Sequence, residues 1–187
     1  MRIISGIHKG KKINYTKSPS TRPLRDLVKE NIFNIIEHSN LTNVSLKNSK
    51  ILDLYSGSGS FGFECLSRGS SEVIFIERSP SITLRLEENL NKLGMIEKAK
   101  LIQQDTHSFV KKYKKTNYFD IIFLDPPYVD QDYHRLLDLI NKEKLCKKNH
   151  LIIIHREKGK IEEKIEEMNI IQVKNYGRSK VLFVNFF

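Results

Sequence analysis

Near the middle of the chain an apolar run, Ile121-Ile122-Phe123-Leu124, ends on Asp125-Pro126-Pro127-Tyr128. Four consecutive apolar residues without polar alternation read as a strand buried on both faces. The adjacent prolines stop it, because neither has an N–H to give to a ladder. A second apolar run, 50–55, ends on a glycine-rich turn, Ser56-Gly57-Ser58-Gly59-Ser60-Phe61-Gly62. Both motifs therefore sit at the carboxyl ends of strands.

The intervening sequence supplies the helices such strands need. After strand 50–55 a helix runs from the glycine turn to near Gly69. Strand 72–77 leads to Ser79-Pro80, a helix start, with Ile82, Leu86, Leu90 and Leu93 at helical spacing and Gly94 as the stop. Strand 100–104 precedes a short helix with Phe109, Val110 and Tyr113, and strand 120–124 precedes one with Tyr133, Leu136, Leu137 and Ile140. Strand 151–155, a helix with Ile161, Ile165 and Met168, and strands 170–174 and 180–186 complete the pattern. The connection 175–179 is too short for a helical crossover, so the last strand should run antiparallel to its predecessor. The expected fold is α/β, a doubly wound, mostly parallel sheet. Ahead of it, 1–15 read as a β-hairpin, 16–22 as a loop, and Pro23 as the start of a helix with Leu24, Leu27, Val28, Ile32, Ile35 and Ile36 on one face. A polar linker spans 38–49. This divides the chain into an extension, 1–40, packed on a main domain, 41–187.

Charge is unevenly spread. The whole chain is +10, and residues 1–30 hold Arg2, Lys9, Lys11, Lys12, Lys17, Arg22, Arg25 and Lys29 against Asp26 and Glu30, a net +6. A local basic excess points to a polyanion reached through the N-terminus. No apolar run approaches the ~20 residues of a membrane helix, and Met1-Arg2-Ile3-Ile4-Ser5-Gly6 is no secretory signal. Cys65 and Cys146 are far apart, and the six histidines form no metal spacing, so a cytoplasmic protein without a metal site is expected; a monomer is also expected, though the spacing does not decide it.

Gly57-x-Gly59-x-x-Gly62, with Glu77 placed 20 residues after Gly57, matches a nucleoside-binding turn whose carboxylate accepts ribose hydroxyls. This pattern fits a nicotinamide cofactor or S-adenosylmethionine. Asp53 favours the second, since a carboxylate suits an ammonium and opposes a pyrophosphate. Asp105 can accept from an adenine amine or cap the helix that Thr106 begins. Gly62 reads as a helix–sheet packing contact. The candidate donor-binding residues are Asp53, Tyr55, Gly57, Gly59, Glu77, Arg78, Asp105 and Thr106. In the second motif, Asp125 and the Pro126 carbonyl can accept hydrogen bonds from an aromatic amine, while Tyr128 stacks on its ring. An amino nitrogen conjugated to a ring is a poor nucleophile, so positioning would supply most of the acceleration.

These residues resemble the class I S-adenosylmethionine-dependent methyltransferases. More closely, the chain is similar to the bacterial guanine-N2 methyltransferases of small-subunit ribosomal RNA, the RsmD family. The likeness runs nearly the whole length, through Arg2-Ile3-Ile4-Ser5-Gly6, Lys9-Gly10-Lys11-Lys12, Arg22-Pro23, Glu30–Ile35, Asp53–Gly59, Leu66-Ser67-Arg68-Gly69, Asp125–Tyr128 and Tyr176-Gly177. Leu24 stands where the family often has Thr. The resemblance implies a Rossmann-like class I methyltransferase fold and methylation of one 16S guanine. It also implies small-subunit RNA, free or in an assembling subunit, as partner. Candidate RNA contacts are Arg2, Lys9, Lys11, Lys12, Arg22, Arg25 and Arg178. Methylation of another base or RNA, a nicotinamide-dependent oxidoreductase and a non-catalytic RNA-binding module remain as alternatives.

Overall fold

The structure, a computed structural model, describes residues 1–15, 24–39, 43–127, 132–158 and 168–187. Its strands are β1 (Lys50–Leu54), β2 (Glu72–Glu77), β3 (Ala99–Gln103), β4 (Phe119–Leu124), β5 (Cys146–Glu157), β6 (Met168–Tyr176) and β7 (Ser179–Phe186). They form one sheet in the order β3-β2-β1-β4-β5-β7-β6. Strands β1 to β5 pair in parallel, and β7 runs antiparallel to both β5 and β6, as the short connection requires. The order reverses between β1 and β4, where a doubly wound sheet opens a crevice beyond its carboxyl ends.

Two apolar layers enclose the sheet. Helices α1 (Asp26–His38), α2 (Ser60–Ser67) and α3 (Pro80–Lys92) cover one face, and α4 (Thr106–Lys112) and α5 (Tyr133–Lys142) the other. Both faces of β1 and β4 are buried, which is why those strands carry no alternation. A stack of three rings joins α1 to the sheet, with Phe33 on Phe61 at 5.2 Å and Phe61 on Phe123 at 4.2 Å.

The N-terminal segment shares this core. Ile3, Ile13, Leu24, Val28 and Ile32 pack in one cluster with Phe61, Phe75 and Phe123. The expected hairpin contracts to a single bridge, Arg2 opposite Lys12, flanked by bonds from Gly10 N–H to Ile3 and from Ile13 N–H to Met1. Its backbone turns instead toward α2. There the fully buried Glu64 carboxylate accepts from Ile4 N–H and Ser5 N–H, both at 2.9 Å, and from Arg68 Nε at 2.9 Å. Buried Lys29 lies 3.8 Å from the same carboxylate and donates to the Arg2 carbonyl at 2.7 Å. Burial pulls the Lys29 ammonium below its usual pKa, and the charges of Glu64 and Asp26 oppose that shift. At Gly6, φ is +80° and a Cβ would stand 2.0 Å from the Ser67 carbonyl, so only glycine permits this approach.

Several expectations change. Pro23 lies outside the described residues, and α1 begins at Asp26 after Arg25, with Leu24 buried ahead of it. Leu27 is 65 % exposed, because the buried stripe runs through Val28, Lys29, Ile32, Phe33 and Ile36 instead. The linker is not wholly polar, since Val44 and Leu46 are buried. Strand β5 is 12 residues long, and its polar start, Cys146 to His150, hid the extension from a reading of apolar runs. Met168 begins β6 rather than ending a helix, and Ile161 and Ile165 lie outside the described residues. Edge strand β6 is mostly exposed and shifts register between Ile170 and Gln172, which blurs its period.

Glu64→Ala leaves two backbone donors and Arg68 Nε without their acceptor and the buried Lys29 ammonium without its buried counter-charge. A loss of about 3–5 kcal/mol is expected for breaking a buried ion cluster on one side. The shift in denaturant midpoint at constant m-value measures it.

Candidate active site

Register brings the site together. Leu54 of β1 pairs with Ile76 of β2 and with Leu124 of β4, so the residues just beyond emerge along one edge. The chain leaves β1 through Tyr55, Gly57 and Gly59, all at positive φ (57°, 51° and 72°). Ser56 N–H donates to the Ile76 carbonyl at 3.0 Å and Gly59 N–H to the Ser56 carbonyl at 2.7 Å, which holds the loop in a tight coil. A Cβ on Gly59 would lie 2.5 Å from the Leu86 side chain and 2.7 Å from Phe63. One on Gly62 would lie 2.2 Å from the Phe75 ring, so Gly62 serves packing, as expected.

The carboxylate of Glu77 spans the loop. One oxygen accepts from Gly57 N–H at 3.0 Å and the other from Ser79 N–H at 2.8 Å. A carboxylate offers about four acceptor positions, so this arrangement leaves acceptor capacity on each oxygen for a diol. Asp53 lies beneath the loop, 1 % exposed, and its carboxylate accepts from Gly62 N–H at 3.0 Å. Burial raises the Asp53 carboxyl well above the ordinary range; the Gly62 bond opposes this, and the charges of Asp125 and Glu77 add to it. A cation brought to this pocket would relieve that repulsion.

Two hydroxyls and one carboxylate stand near the strand ends. The hydroxyls of Ser60 and Thr106 are buried and have no partner among the described residues. Asp105 caps α4, accepting from Ser108 N–H at 2.9 Å, and that bond holds its carboxyl below the usual range. The capping alternative is therefore realised, and any ligand contact of Asp105 has to share the carboxylate with it. Arg78 is exposed beside Glu77, and Tyr55 is half-buried.

On the opposite side of the crevice, Asp125 and Pro126 leave β4 with Pro126 buried and Pro127 exposed. Asp125 Oδ1 lies 2.9 Å from His155 Nδ1. Buried Arg156 reaches the Pro127 carbonyl at 3.5 Å and lies over the Tyr133 ring at 4.1 Å. Tyr128 lies outside the described residues. His155 and Arg156 escaped the sequence reading because their role needs the pairing of β5 with β4. The available signal was a His-Arg pair ending the apolar run Leu151–Ile154. Glu64 was missed too, although a carboxylate inside Phe61-Gly62-Phe63-Glu64-Cys65-Leu66 is conspicuous.

The basic residues divide. Lys9, Lys11 and Lys12 are exposed on the N-terminal segment, Arg2 is paired with Asp26 at 3.4 Å, and Arg25 is exposed ahead of α1. Asn14 and Asn89 of α3 exchange two hydrogen bonds, at 3.0 and 2.7 Å, which seats this segment beside the glycine loop. An open groove of about 760 Å³ runs between Arg2, Lys12, Tyr15, Asp26 and Arg85. Arg178 sits in the β6–β7 turn at the β5 end that carries His155. Arg22 lies outside the described residues. Among the described residues no helix is long and apolar enough to cross a membrane, and no three-residue metal-ligating cluster occurs.

Comparison with known proteins places these features. Residues 1–185 match the model of the family described as Conserved hypothetical protein 95. The ribosomal RNA small subunit methyltransferase D of Haemophilus influenzae is 33 % identical over 178 residues, covering 95 % of this chain and 89 % of that protein. A solved candidate methylase from the same organism superposes with a TM-score of 0.80 at 30 % identity, over 98 % of this chain and 96 % of the other. The fold is also that of a Salinibacter ruber RNA methyltransferase solved with S-adenosyl-L-homocysteine, with a TM-score of 0.62 at 14 % identity over 87 % and 92 % of the two chains.

Glu77→Ala should weaken S-adenosylmethionine binding by ~10-fold or more, since charge-assisted bonds contribute roughly 1.5–3 kcal/mol each. Calorimetric titration of the folded variant measures it, and unchanged affinity would remove Glu77 from the donor site.

Proposed function

The chain belongs to the Conserved hypothetical protein 95 family, that of the small-subunit ribosomal RNA methyltransferase D proteins. From that premise we propose that it transfers a methyl group from S-adenosylmethionine to the N2 amine of a guanine in small-subunit ribosomal RNA. The observation that carries this reading is the convergence of Asp53, Glu77 and Asp125 at the adjoining carboxyl ends of β1, β2 and β4. Three carboxylates in one crevice suit a donor bearing an ammonium and a sulfonium. They would repel the pyrophosphate of a nicotinamide dinucleotide.

Glu77 would hold the ribose hydroxyls, and Ser60 and Thr106 offer buried hydroxyls to the same ligand. Gly57 and Gly59 allow the backbone close to it, and Asp53 balances its positive charge from below. When bound, the donor supplies a methyl group on a cationic sulfur, a centre already reactive toward a neutral nitrogen. The chain's remaining task is to aim that nitrogen. Asp125 accepts from one amine hydrogen and is the turn's acceptor for the proton the nitrogen gives up. The Pro126 carbonyl accepts from the other hydrogen, and Tyr128 stacks on the base. Residues 1–40 act as the RNA-reading extension of a catalytic domain, 41–187. Arg2 and Lys12 line the groove, and the exposed Lys9, Lys11, Arg25 and Arg178 add to the basic surface offered to RNA.

Asp125→Ala should lower single-turnover methyl transfer by ~100-fold or more while donor affinity changes little, because it deletes a polar contact made to the reacting amine. Retained turnover would take Asp125 out of the mechanism.

Replacing Lys9, Lys11 and Lys12 by Gln should flatten the slope of log RNA affinity against log salt by roughly 2–3, at ~0.7–0.9 per phosphate contact. Donor binding should be untouched. Titration of small-subunit RNA across a salt series measures the slope, and an unchanged one would make these lysines a solvated face only.

A further inference from the structure

Sheet register sets His155 beside Asp125. Ile154 pairs with Leu124, so the next residue of each parallel strand is level with the other and on the same face. On its other side His155 pairs with Val181 of β7, which holds its backbone on that edge. The ring is buried, and its Nδ1 lies 2.9 Å from Asp125 Oδ1. Two lone pairs cannot face each other at that distance beside an ionised carboxylate, so Nδ1 carries the hydrogen and donates. Asp125 Oδ2 has no partner among the described residues.

The following residue grips the same turn from the other face. Arg156 sits among the α5-side residues, over Tyr133, and reaches the Pro127 carbonyl. Consecutive β5 side chains therefore straddle the turn.

We infer that His155 is a positioning residue for methyl transfer: its Nδ1–H ties down one oxygen of Asp125, which leaves the other as the acceptor for the target amine. The inference rests on the role proposed for Asp125. It requires a donor at that position rather than a base. Asn carries an amide N–H at nearly the same reach as histidine Nδ1, and Ala carries none.

The test compares wild type, His155→Ala, His155→Asn, Asp125→Ala and the double Ala variant. Each is assayed in single turnover on small ribosomal subunits from cells lacking the enzyme, at saturating S-adenosylmethionine, with donor affinity and thermal midpoint measured in parallel. His155→Ala should slow transfer by ~10–100-fold, the scale of a misaligned reacting group, with donor affinity held within about twofold. His155→Asn should recover transfer to within about threefold of wild type. In the Asp125→Ala background, removal of His155 should cost nothing further, because the histidine acts through that carboxylate. Wild-type turnover in His155→Ala, with Asp125→Ala slow, overturns the inference alone. An Asn variant as slow as the Ala variant at an unchanged thermal midpoint overturns the donor role. Full turnover in Asp125→Ala overturns the reading of the turn on which the inference stands.

Discussion

One carboxylate, that of Glu64, joins three parts of the chain that have no covalent reason to meet. It lies inside α2, takes two backbone N–H groups from the N-terminal segment, pairs with Arg68 on its own helix and faces Lys29 from α1. An unpaired charge at 0 % exposure would be prohibitive, so each partner is needed for the others to be tolerated. The consequence reaches the site. Helix α2 starts on the glycine loop, and the segment tied to Glu64 also reaches Asn89 of α3 and forms a wall of the basic groove. The glycine loop and the basic N-terminal segment are thus parts of one packed assembly.

Electrostatics then separates two tasks over a short distance. The crevice floor carries the carboxylates of Asp53, Glu77 and Asp125 at the strand ends, while Lys9, Lys11 and Lys12 are exposed on the N-terminal segment and Arg178 in the β6–β7 turn. Under the proposed function, the first set would draw a cationic donor and the second a polyphosphate chain. Burial above all, and then the charges of Asp125 and Glu77, raise the Asp53 carboxyl, so its ionised form is costly when no cation is near.

Local signals made much of this legible. Strands β1, β2 and β4, the Ser79-Pro80 helix start and the antiparallel last strand follow from apolar runs, turn residues and connection length. The glycine loop, Glu77 and Asp125 are visible because each sits where an apolar run stops. What stayed hidden depends on pairing between distant segments. Strand β6 reads poorly because an edge strand needs no buried period, and the start of β5 because its residues are polar. His155 and Glu64 have meaning only once β5 lies beside β4 and residues 4–5 fold back on α2. No window of a dozen residues contains those relations.

The placement of β7 between β5 and β6 carries a consequence for the order of assembly. Strand β5 holds the two residues that grip the Asp125 turn, yet one of its edges stays unsatisfied until β7, more than 20 residues later, slides in antiparallel. Such a non-local pairing is slow to form, because the loop must close before any ladder bond rewards it. Until it forms, the strand that holds His155 and Arg156 beside the Asp125 turn has one open edge, so that turn is completed only when the C-terminal strands are in place. A nascent chain that has not yet made β7 would expose an open β5 edge beside the Asp125 turn, an edge that invites mispairing.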